Sequence, residues 1–213
     1  MKREPKLLGC YNYTVILTYI GMLFGFGGIL SAMEDKLLNA FSCLMVAGVC
    51  DMFDGAIAAT RQRTEQEKSF GIQIDSLSDL ICFGVLPAVI THHLSQKGIV
   101  SAGICTLYLL CALIRLAWFN VDEQERQTTD ASPRSLYFGL PVTLSALFVP
   151  SLYSLSRLCL WNMSAVLHSA LLVMGTLFLI PFPLKKPKLP GKLCIVLCGM
   201  AEVLLVALAC AGR

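Results

Sequence analysis

Residues 50–79 read CDMFDGAIAATRQRTEQEKSFGIQIDSLSD, and this stretch decides the fold. It joins two apolar segments through a short polar connection, and these apolar segments carry four aspartates, Asp51, Asp54, Asp75 and Asp79. A charged side chain within a membrane-spanning segment costs about 2.5–3.5 kcal/mol on insertion scales. Four carboxylates that face one another would be unstable without cations, so the stretch predicts a metal site inside a membrane domain.

The composition around this stretch is typical of a polytopic helical membrane protein. Of 213 residues, 56% are hydrophobic and 15% are charged, whereas about 25% are charged in ordinary soluble domains. The mean hydropathy is +0.69. Because about 20 apolar residues cross a bilayer core as a helix, we expect one all-α transmembrane bundle over residues 1–213. Little chain is left for a soluble module, and no nucleic-acid partner is expected.

The apolar runs predict seven spans, a six-helix core and a further C-terminal helix. They lie at about 14–32, 37–60, 71–91, 99–119, 136–155, 161–181 and 193–211. Polar loops are expected at 61–70 and 120–135. We divide the chain into a basic tail (1–11), a catalytic core (12–181), and a basic linker with the last span (182–213). That last span either packs on the core or lies at its periphery.

The distribution of positive charge predicts the orientation of the bundle. If the N-terminus is cytoplasmic, 13 of the 17 Lys and Arg residues fall on the cytoplasmic side. The remaining four are Lys36, Lys97, Arg157 and Arg213. Since cytoplasmic loops carry an excess of Lys and Arg, this orientation is favoured. It places the aspartates at the cytoplasmic edge of the membrane.

Helical spacing brings the carboxylates onto facing stripes. Asp51 and Asp54 are i, i+3 neighbours, and Asp75 and Asp79 are i, i+4 neighbours. Gly71 lies one turn before Asp75 on the same stripe. In an antiparallel hairpin both pairs sit at one depth, and such a density of hard oxygen ligands suits Mg²⁺ or Mn²⁺, with two ions expected. Gly55 and Gly71 lack a Cβ and would allow close approach of a ligand or of the partner backbone.

These residues resemble a known signature. The spacing D-x2-D-G-x2-A from Asp51 to Ala58, followed by G-x3-D-x3-D from Gly71 to Asp79, closely resembles the CDP-alcohol phosphotransferase motif. Within that family, DSLSDLICFGVLPA (75–88), RLAWFN (115–120) and FGLP (138–141) resemble the phosphatidylserine synthase branch. The resemblance covers about residues 12–141. It implies an integral enzyme with its active site at the cytoplasmic face, expected in a prokaryotic cell membrane.

One position departs from the family pattern. The family has an Arg directly after the Ala of its first half, and this chain has Ala59 there. The first arginine is Arg61, seven residues after Asp54, which is nearly two helical turns. Arg61 either replaces the missing Arg slightly further out or serves as a positive-inside anchor.

The resemblance implies transfer of a phosphatidyl group from a CDP-linked lipid, here CDP-diacylglycerol, to an alcohol with release of CMP. It makes Asp51, Asp54 and Asp75 metal ligands, and Asp79 a general base that also contacts metal. The CDP-lipid would lie against a further group of residues, namely Asn12, Thr14, Gly55, Ala58, Arg61 and Gly71. Asn12 is equally well explained as a helix N-cap. The basic linker Lys185–Lys192 is expected to meet anionic membrane lipid, or alternatively to attract the CDP-lipid.

L-serine as acceptor needs a site for its carboxylate. Arg115 is embedded in the apolar run LLCALIRLAWFN, and its guanidinium offers a bidentate fork to a carboxylate. We assign serine binding to Arg115 with Asn120 nearby, against the alternative that Arg115 reaches toward lipid headgroups.

Three other functions remain open from the sequence. The same family uses other acceptors, such as glycerol 3-phosphate or inositol phosphate, but DSLSDL lacks the Pro and Lys of the usual glycerol-phosphate form. Intramembrane prenyl transfer also uses Asp-rich helices, with different motifs and usually more spans. A cation transporter would place its acids near the midplane and show internal repeats, and neither is evident here. Family members often form dimers, so a homodimer is expected.

Overall fold

The computed structural model describes residues 8–95, 97–129, 136–185 and 189–211. Its helices are α1 (Tyr13–Met33), α2 (Leu37–Ala58), α3 (Glu65–Asp79), α4 (Leu86–Leu94), α5 (Ile99–Thr129), α6 (Ser145–Leu158), α7 (Met163–Leu179) and α8 (Leu189–Ala211). A π-helical segment (Leu80–Val85) joins α3 to α4, and a 3₁₀ turn (Val142–Leu144) precedes α6. Two short strands, β1 (Leu136–Phe138) and β2 (Pro183–Lys185), pair antiparallel.

The all-α membrane fold is confirmed. Within the described residues, five helical segments are long and apolar enough to cross a membrane: Tyr13–Met33, Leu37–Ala58, Glu65–Leu94, Ile99–Arg126 and Pro190–Leu208. Two shorter apolar helices, Val142–Leu158 and Met163–Leu179, account for the other two predicted spans. The N-terminal tail lies almost entirely outside the described residues.

Helices α1 and α2 form a tight hairpin, and a glycine of α1 brings the next span close. A Cβ at Gly25 would lie 2.4 Å from Cys82 Sγ and 3.2 Å from Cys82 Cα. The second of these atoms is backbone, so α1 could not accommodate a side chain there without moving. The contact with Cys82 fixes α1 against the segment that directly follows Asp79.

We expect Gly25→Ala to lower the stability of the folded protein by about 1–3 kcal/mol, the usual cost of overpacking. Gly27→Ala is a matched control on the same helix, because a Cβ at Gly27 would meet nothing within 4 Å. Thermal unfolding of both purified variants in detergent measures the difference. Equal melting temperatures for the two variants would contradict the close packing of α1.

Helix α3 begins earlier than the sequence analysis predicts, which corrects the loop expected at 61–70. Thr64 is the N-cap, and it forms a capping box with Glu67. The Thr64 backbone N–H donates to Glu67 Oε2 at 2.9 Å, and the Glu67 N–H donates to Thr64 Oγ1 at 3.2 Å. The T-x-x-E spacing was therefore an overlooked start signal for the helix.

The π-helical segment between α3 and α4 has an identifiable cause. Pro87 lacks an N–H and its ring would clash with the carbonyl four residues earlier, which belongs to Phe83. That carbonyl instead accepts hydrogen bonds from Tyr108 Oη at 2.6 Å and Ser145 Oγ at 3.3 Å. The side chains of α5 and α6 thus stabilise an irregular turn that begins directly after Asp79.

The C-terminal half corrects three further boundaries. Helix α5 continues to Thr129, into the loop expected at 120–135, and an Arg126–Glu123 ion pair of 2.6 Å stabilises its extension. The fifth span starts later than expected, because residues 136–138 form a strand. The basic linker contains β2, and α8 already begins at Leu189.

Gly139 connects β1 to the rest of the bundle. Its φ is +78°, and a Cβ there would lie 3.0 Å from the Ile180 carbonyl oxygen. Its N–H donates to the Phe182 carbonyl at 2.8 Å, and the N–H of Leu140 donates to the Leu177 carbonyl at 3.2 Å. These bonds position the turn that leads from the two-stranded ribbon into α6.

The core lies between α2, α5, α6 and α7. Two aromatic pairs mark it, Phe41 with Tyr153 at 4.7 Å between ring centroids and Tyr108 with Phe178 at 5.5 Å. Helix α8 packs against α2 and α6. It therefore adjoins the helix that carries Asp51 and Asp54.

Candidate active site

The four predicted aspartates lie together at one end of the bundle. Asp51 and Asp54 come from the last turns of α2, and Asp75 and Asp79 come from the second half of α3. One carboxylate oxygen from each of Asp51, Asp54 and Asp75 lies within 4.8 Å of the others. Asp79 borders the same small pocket as these three. A cluster of hard oxygen atoms at this spacing fits a divalent cation such as Mg²⁺ or Mn²⁺.

A hydroxyl from α1 completes the surroundings of Asp54. Asp54 is buried, and Thr18 Oγ1 donates to its Oδ2 at 3.3 Å. Thr18 is itself buried one helical turn after Thr14. Thr18 could not be predicted from the sequence, because a single threonine in an apolar helix gives no signal of what it contacts.

Asn12 and Thr14 lie at the start of α1, as expected. Asn12 is the N-cap of α1, and its Oδ1 accepts from the Thr14 N–H at 3.1 Å and from the Thr14 hydroxyl. Its Nδ2 donates to Glu67 Oε1 at 2.9 Å. The N-cap explanation of Asn12 is therefore confirmed. The contact also links the start of α1 to the first turn of α3.

Arg61 lies in this network at the protein surface. Its guanidinium is 3.5 Å from Glu67, and 41% of its side chain is exposed. Glu67 thus contacts Asn12 and Arg61 and caps α3 through Thr64. The sequence analysis did not single out Glu67, although the capping-box spacing pointed to it.

A second arginine lies closer to the aspartate stripe of α3. A Cβ at Gly71 would be 3.2 Å from a terminal guanidinium nitrogen of Arg63. Gly71 is one turn before Asp75, so Arg63 covers the entry to that stripe. On α2, Ala58 is buried, whereas Gly55 is exposed and a Cβ there would meet nothing within 4 Å.

The aspartates open into a cavity of about 820 Å³. Along α2 its wall runs from Ser42 to Ala56, which corresponds to about 20 Å of helix. Residues of α6 and α8 form the facing walls, and most of the lining is apolar. The four carboxylates lie near one end of α2, so the cavity combines a polar end with a long apolar extension.

Two cationic side chains border the same cavity. Arg115 comes from α5 and is only 9% exposed, and Lys192 comes from the first turn of α8. Arg115 Nε is 3.5 Å from the Leu140 carbonyl oxygen, and its guanidinium lies 5.9 Å from the centre of the Phe119 ring. The polar end thus carries both signs of charge, which suits a ligand with phosphate groups beside a metal.

Asn120 lies against α3. Its Oδ1 accepts from Ser76 Oγ at 2.5 Å, and its Nδ2 donates to Gln73 Oε1 at 3.2 Å. It is not among the residues that line the cavity. The structure therefore places Asn120 next to the helix turn that carries Asp75, whereas Arg115 faces the cavity.

Comparison with known proteins finds several relatives with similar sequences. The CDP-diacylglycerol–serine O-phosphatidyltransferase of Saccharomyces cerevisiae is 33% identical over 135 residues, 58% of this chain and 48% of the relative. The protein of the same name from Methanocaldococcus jannaschii is 28% identical over 193 residues, 90% of this chain and 83% of the relative. An archaetidylserine synthase of Methanothermobacter thermautotrophicus is 27% identical over 154 residues, 72% of this chain and 62% of the relative.

The matched stretch thus spans about half of the yeast relative and most of the Methanocaldococcus relative. A family model described as CDP-alcohol phosphatidyltransferase matches residues 11–181. That range includes both halves of the aspartate pattern and every helix from α1 to α7. This chain therefore belongs to the CDP-alcohol phosphatidyltransferase family.

Proposed function

We propose that this protein transfers the phosphatidyl group of CDP-diacylglycerol to the hydroxyl of L-serine and releases CMP. The observation that carries the proposal is the meeting of three carboxylates within 4.8 Å at the polar end of a largely apolar cavity of about 820 Å³. Such a cavity offers one region for a diphosphate and another for acyl chains. Two of the relatives compared above are named for a transfer to serine, and the third is named for a product that contains serine.

The aspartates would hold the divalent metal. Asp51, Asp54 and Asp75 supply three close oxygen ligands, and Asp79 lies beside them for a second ion. When bound, Mg²⁺ or Mn²⁺ acts as a Lewis acid that stabilises charge on the transferred phosphoryl group. Without cations, four carboxylates in an apolar environment would repel one another strongly. The donor set therefore fits the metal that the family pattern implies.

Asp79 is the proposed general base. The serine hydroxyl oxygen attacks the β-phosphorus, and the bond from that phosphorus to the oxygen bridging the two phosphates breaks. CMP leaves with that oxygen, and the serine hydroxyl proton passes to the Asp79 carboxylate. Asp79 is suited to this role because it borders the same pocket as the three clustered carboxylates.

The nucleotide would lie between the start of α1 and the aspartate hairpin. We assign it to Asn12 and Thr14 at the start of α1, to Arg61 and Gly71, and to the buried Ala58 of α2. Gly55 lines the cavity and leaves open space where any other residue would place a side chain. Arg63 lies beside Gly71, so we propose it as a second candidate for the arginine that the family places at position 59.

The serine carboxylate is assigned to Arg115. Its guanidinium is held by the Leu140 carbonyl and the Phe119 ring while it faces the aspartate cavity. Asn120 would act through α3, because its amide bonds to Ser76 and Gln73 position the turn of Asp75. The distribution of Lys and Arg supports a cytoplasmic active site, a prokaryotic cell membrane is the proposed location, and a homodimer is the proposed assembly.

An acceptor assay tests this function. The purified protein is incubated with CDP-diacylglycerol, Mn²⁺ or Mg²⁺, and labelled serine, glycerol 3-phosphate or inositol phosphate. We expect CMP release and a labelled lipid with serine alone. Asp79→Asn should reduce the rate by at least about 100-fold, because general-base catalysis contributes about 10²–10⁴.

The outcomes separate the alternatives. Labelling with glycerol 3-phosphate or inositol phosphate would keep the family chemistry and replace serine as the acceptor. No CMP release with any acceptor would contradict the transferase and favour cation binding as the role of the acids. Full activity of Asp79→Asn would remove the base assignment while leaving the acceptor result intact.

A further inference from the structure

One face of α8 forms a wall of the cavity. Lys192, Ile195, Val196, Gly199, Met200 and Val203 line it, at the spacing of a single helical stripe. Leu197 and Leu204, which lie off this stripe, are 66% and 63% exposed. Helix α8 lies beyond the segment matched by the family model, which ends at residue 181. Its part in the site is therefore not implied by the family match.

Lys192 is the charged end of this apolar stripe. Its Nζ donates to the Met52 carbonyl oxygen and lies 5.4 Å from the centre of the Phe53 ring. Both partners belong to the turn of α2 that connects Asp51 to Asp54. The ammonium group is thus directed inward to the aspartate end of the cavity. A lysine that only anchors α8 to lipid headgroups would extend away from the bundle.

The other end of the wall is held by a second polar contact. Glu202 is 4% exposed on α8, and Ser151 of α6 donates a hydrogen bond to its Oε1. A carboxyl group buried in a membrane segment is costly unless it has such a partner. Contacts to α2 at Lys192 and to α6 at Glu202 therefore hold the apolar stripe over the cavity.

The order of side-chain types along α8, a cation followed by apolar residues, matches a lipid with an anionic headgroup and apolar chains. A cation lies next to the carboxylate cluster, and about two and a half turns of apolar side chains, from Ile195 to Val203, follow it along the same wall. Once divalent cations have neutralised most of the charge of the carboxylate cluster, the Lys192 ammonium beside it favours a further anion, such as a phosphate, at this end of the cavity. Arg115 lies on the α5 side of the cavity and does not belong to this stripe.

We propose that Lys192 binds the phosphate on the lipid side of a diphosphate-linked diacyl lipid and that the α8 stripe contacts its acyl chains. The proposal rests on the proposed function for the identity of the lipid. It makes α8 part of the substrate site, and it gives Lys192 a role distinct from that of Arg115.

Direct binding tests the role of Lys192 without turnover. The affinities of CMP, CDP and CDP-diacylglycerol are measured by calorimetry in detergent with Mn²⁺, for the wild type, Lys192→Gln and Lys192→Arg. CDP carries the second phosphate and CMP lacks it. We expect Lys192→Gln to weaken CDP and CDP-diacylglycerol about 10-fold or more and to leave CMP unchanged. Lys192→Arg should restore most of the affinity, and the control Lys36→Gln, an exposed residue in the turn between α1 and α2, should change none of the three.

Other results would overturn the assignment. Equal weakening of all three ligands, with a lower melting temperature, would mean that Lys192 only holds α8 in place. If Lys192→Gln weakens the binding of CDP-diacylglycerol only in nanodiscs that contain anionic lipid, Lys192 binds the phosphate of bulk lipid and not that of the substrate. If Lys192 is needed for CDP-diacylglycerol binding but the wild type releases no CMP with serine, the role of Lys192 stands and only the proposed function is contradicted.

A second variant tests the apolar stripe. A Cβ at Gly199 would meet nothing within 4 Å, so Gly199→Leu would project into the cavity. We expect it to weaken CDP-diacylglycerol several-fold and to leave CDP unchanged. Gly103→Leu is the matched control, since Gly103 is also a helical glycine with open space where a Cβ would lie, but it does not line the cavity. Unchanged lipid affinity in Gly199→Leu would remove α8 from the acyl-chain site.

Discussion

Replacing Asp75 with Asn is expected to abolish CMP release while the protein remains folded. The substitution removes one of three ligand oxygens that lie within 4.8 Å of one another, and an amide binds a hard cation less well than a carboxylate does. Because Lewis-acid stabilisation contributes several kcal/mol and each 1.36 kcal/mol is a factor of ten, the rate should fall by about 10³-fold or more. Initial rates at saturating Mn²⁺ and substrate measure this loss.

Metal binding and stability provide independent measurements for the same variant. Titration with Mn²⁺, followed by electron paramagnetic resonance, should show weaker binding in Asp75→Asn. In the presence of a chelator the variant should melt at a higher temperature than the wild type, because one of the mutually repelling carboxylates is gone. Asp35→Asn is the matched control, since Asp35 lies in the turn at the far end of α1 and has a φ of +61°, which Asn tolerates. Wild-type metal affinity in Asp75→Asn would contradict the ligand assignment.

Replacing Arg115 with Lys is expected to raise the KM for serine by about 10- to 100-fold and to leave the KM for CDP-diacylglycerol unchanged. A lysine keeps the charge but loses the planar fork that a guanidinium offers to a carboxylate. It also loses the contacts with the Leu140 carbonyl and the Phe119 ring that orient the side chain. Steady-state kinetics with each substrate varied in turn measure the two KM values.

The control for this variant is Arg157→Lys in the last turn of α6, which does not line the cavity. An unchanged serine KM in Arg115→Lys would remove Arg115 from the acceptor site. Equal changes in both KM values would indicate that Arg115 supports the cavity as a whole. Only a change confined to serine agrees with the proposed contact.

The aspartate hairpin could be predicted from sequence because its signals are local. The i, i+3 and i, i+4 spacings fix the face of each carboxylate pair, and a short connection makes the two helices neighbours. The structure places Asp51, Asp54 and Asp75 together as this geometry requires. The free-energy cost of placing four carboxylates in membrane-spanning segments is enough to indicate that such a cluster needs a cation. The family pattern then named the chemistry that uses it.

The surroundings of the hairpin could not be predicted in the same way. Thr18 reaches Asp54 across 36 residues of sequence, and Asn120 reaches Ser76 across 44. A threonine or an asparagine gives no indication in the sequence of which distant residue it contacts. The two-stranded ribbon between 136–138 and 183–185 is equally non-local, and its strands are too short to show a period. These features depend on which helices become neighbours, which local patterns do not encode.

Other features of the structure do have local signals in the sequence. The T-x-x-E box at Thr64 marks the true start of α3. Pro87 predicts a disturbed helix near Phe83, because it removes the donor for that carbonyl. The basic linker Lys185–Lys192 is expected to meet anionic membrane lipid or to attract the CDP-lipid, and Lys192 of this segment belongs to α8 and points to the Met52 carbonyl. In that last case the helix boundary, misplaced by four residues, concealed which way the side chain faces.

The π-helical turn after Asp79 divides one membrane span into two helical parts, α3 and α4. The side chains of α4 are rotated about the helix axis relative to the positions that an uninterrupted α-helix would give them. An α-helix turns by about 100° per residue, so one additional residue per turn rotates everything that follows relative to what came before. The α3 half can present Asp75 and Asp79 to the cavity, while the α4 half buries Leu86 and Ile90 in the core. Within this single span, a substitution on α3 can therefore change the active site without changing the packing of α4, and a substitution on α4 can change the packing without changing the active site.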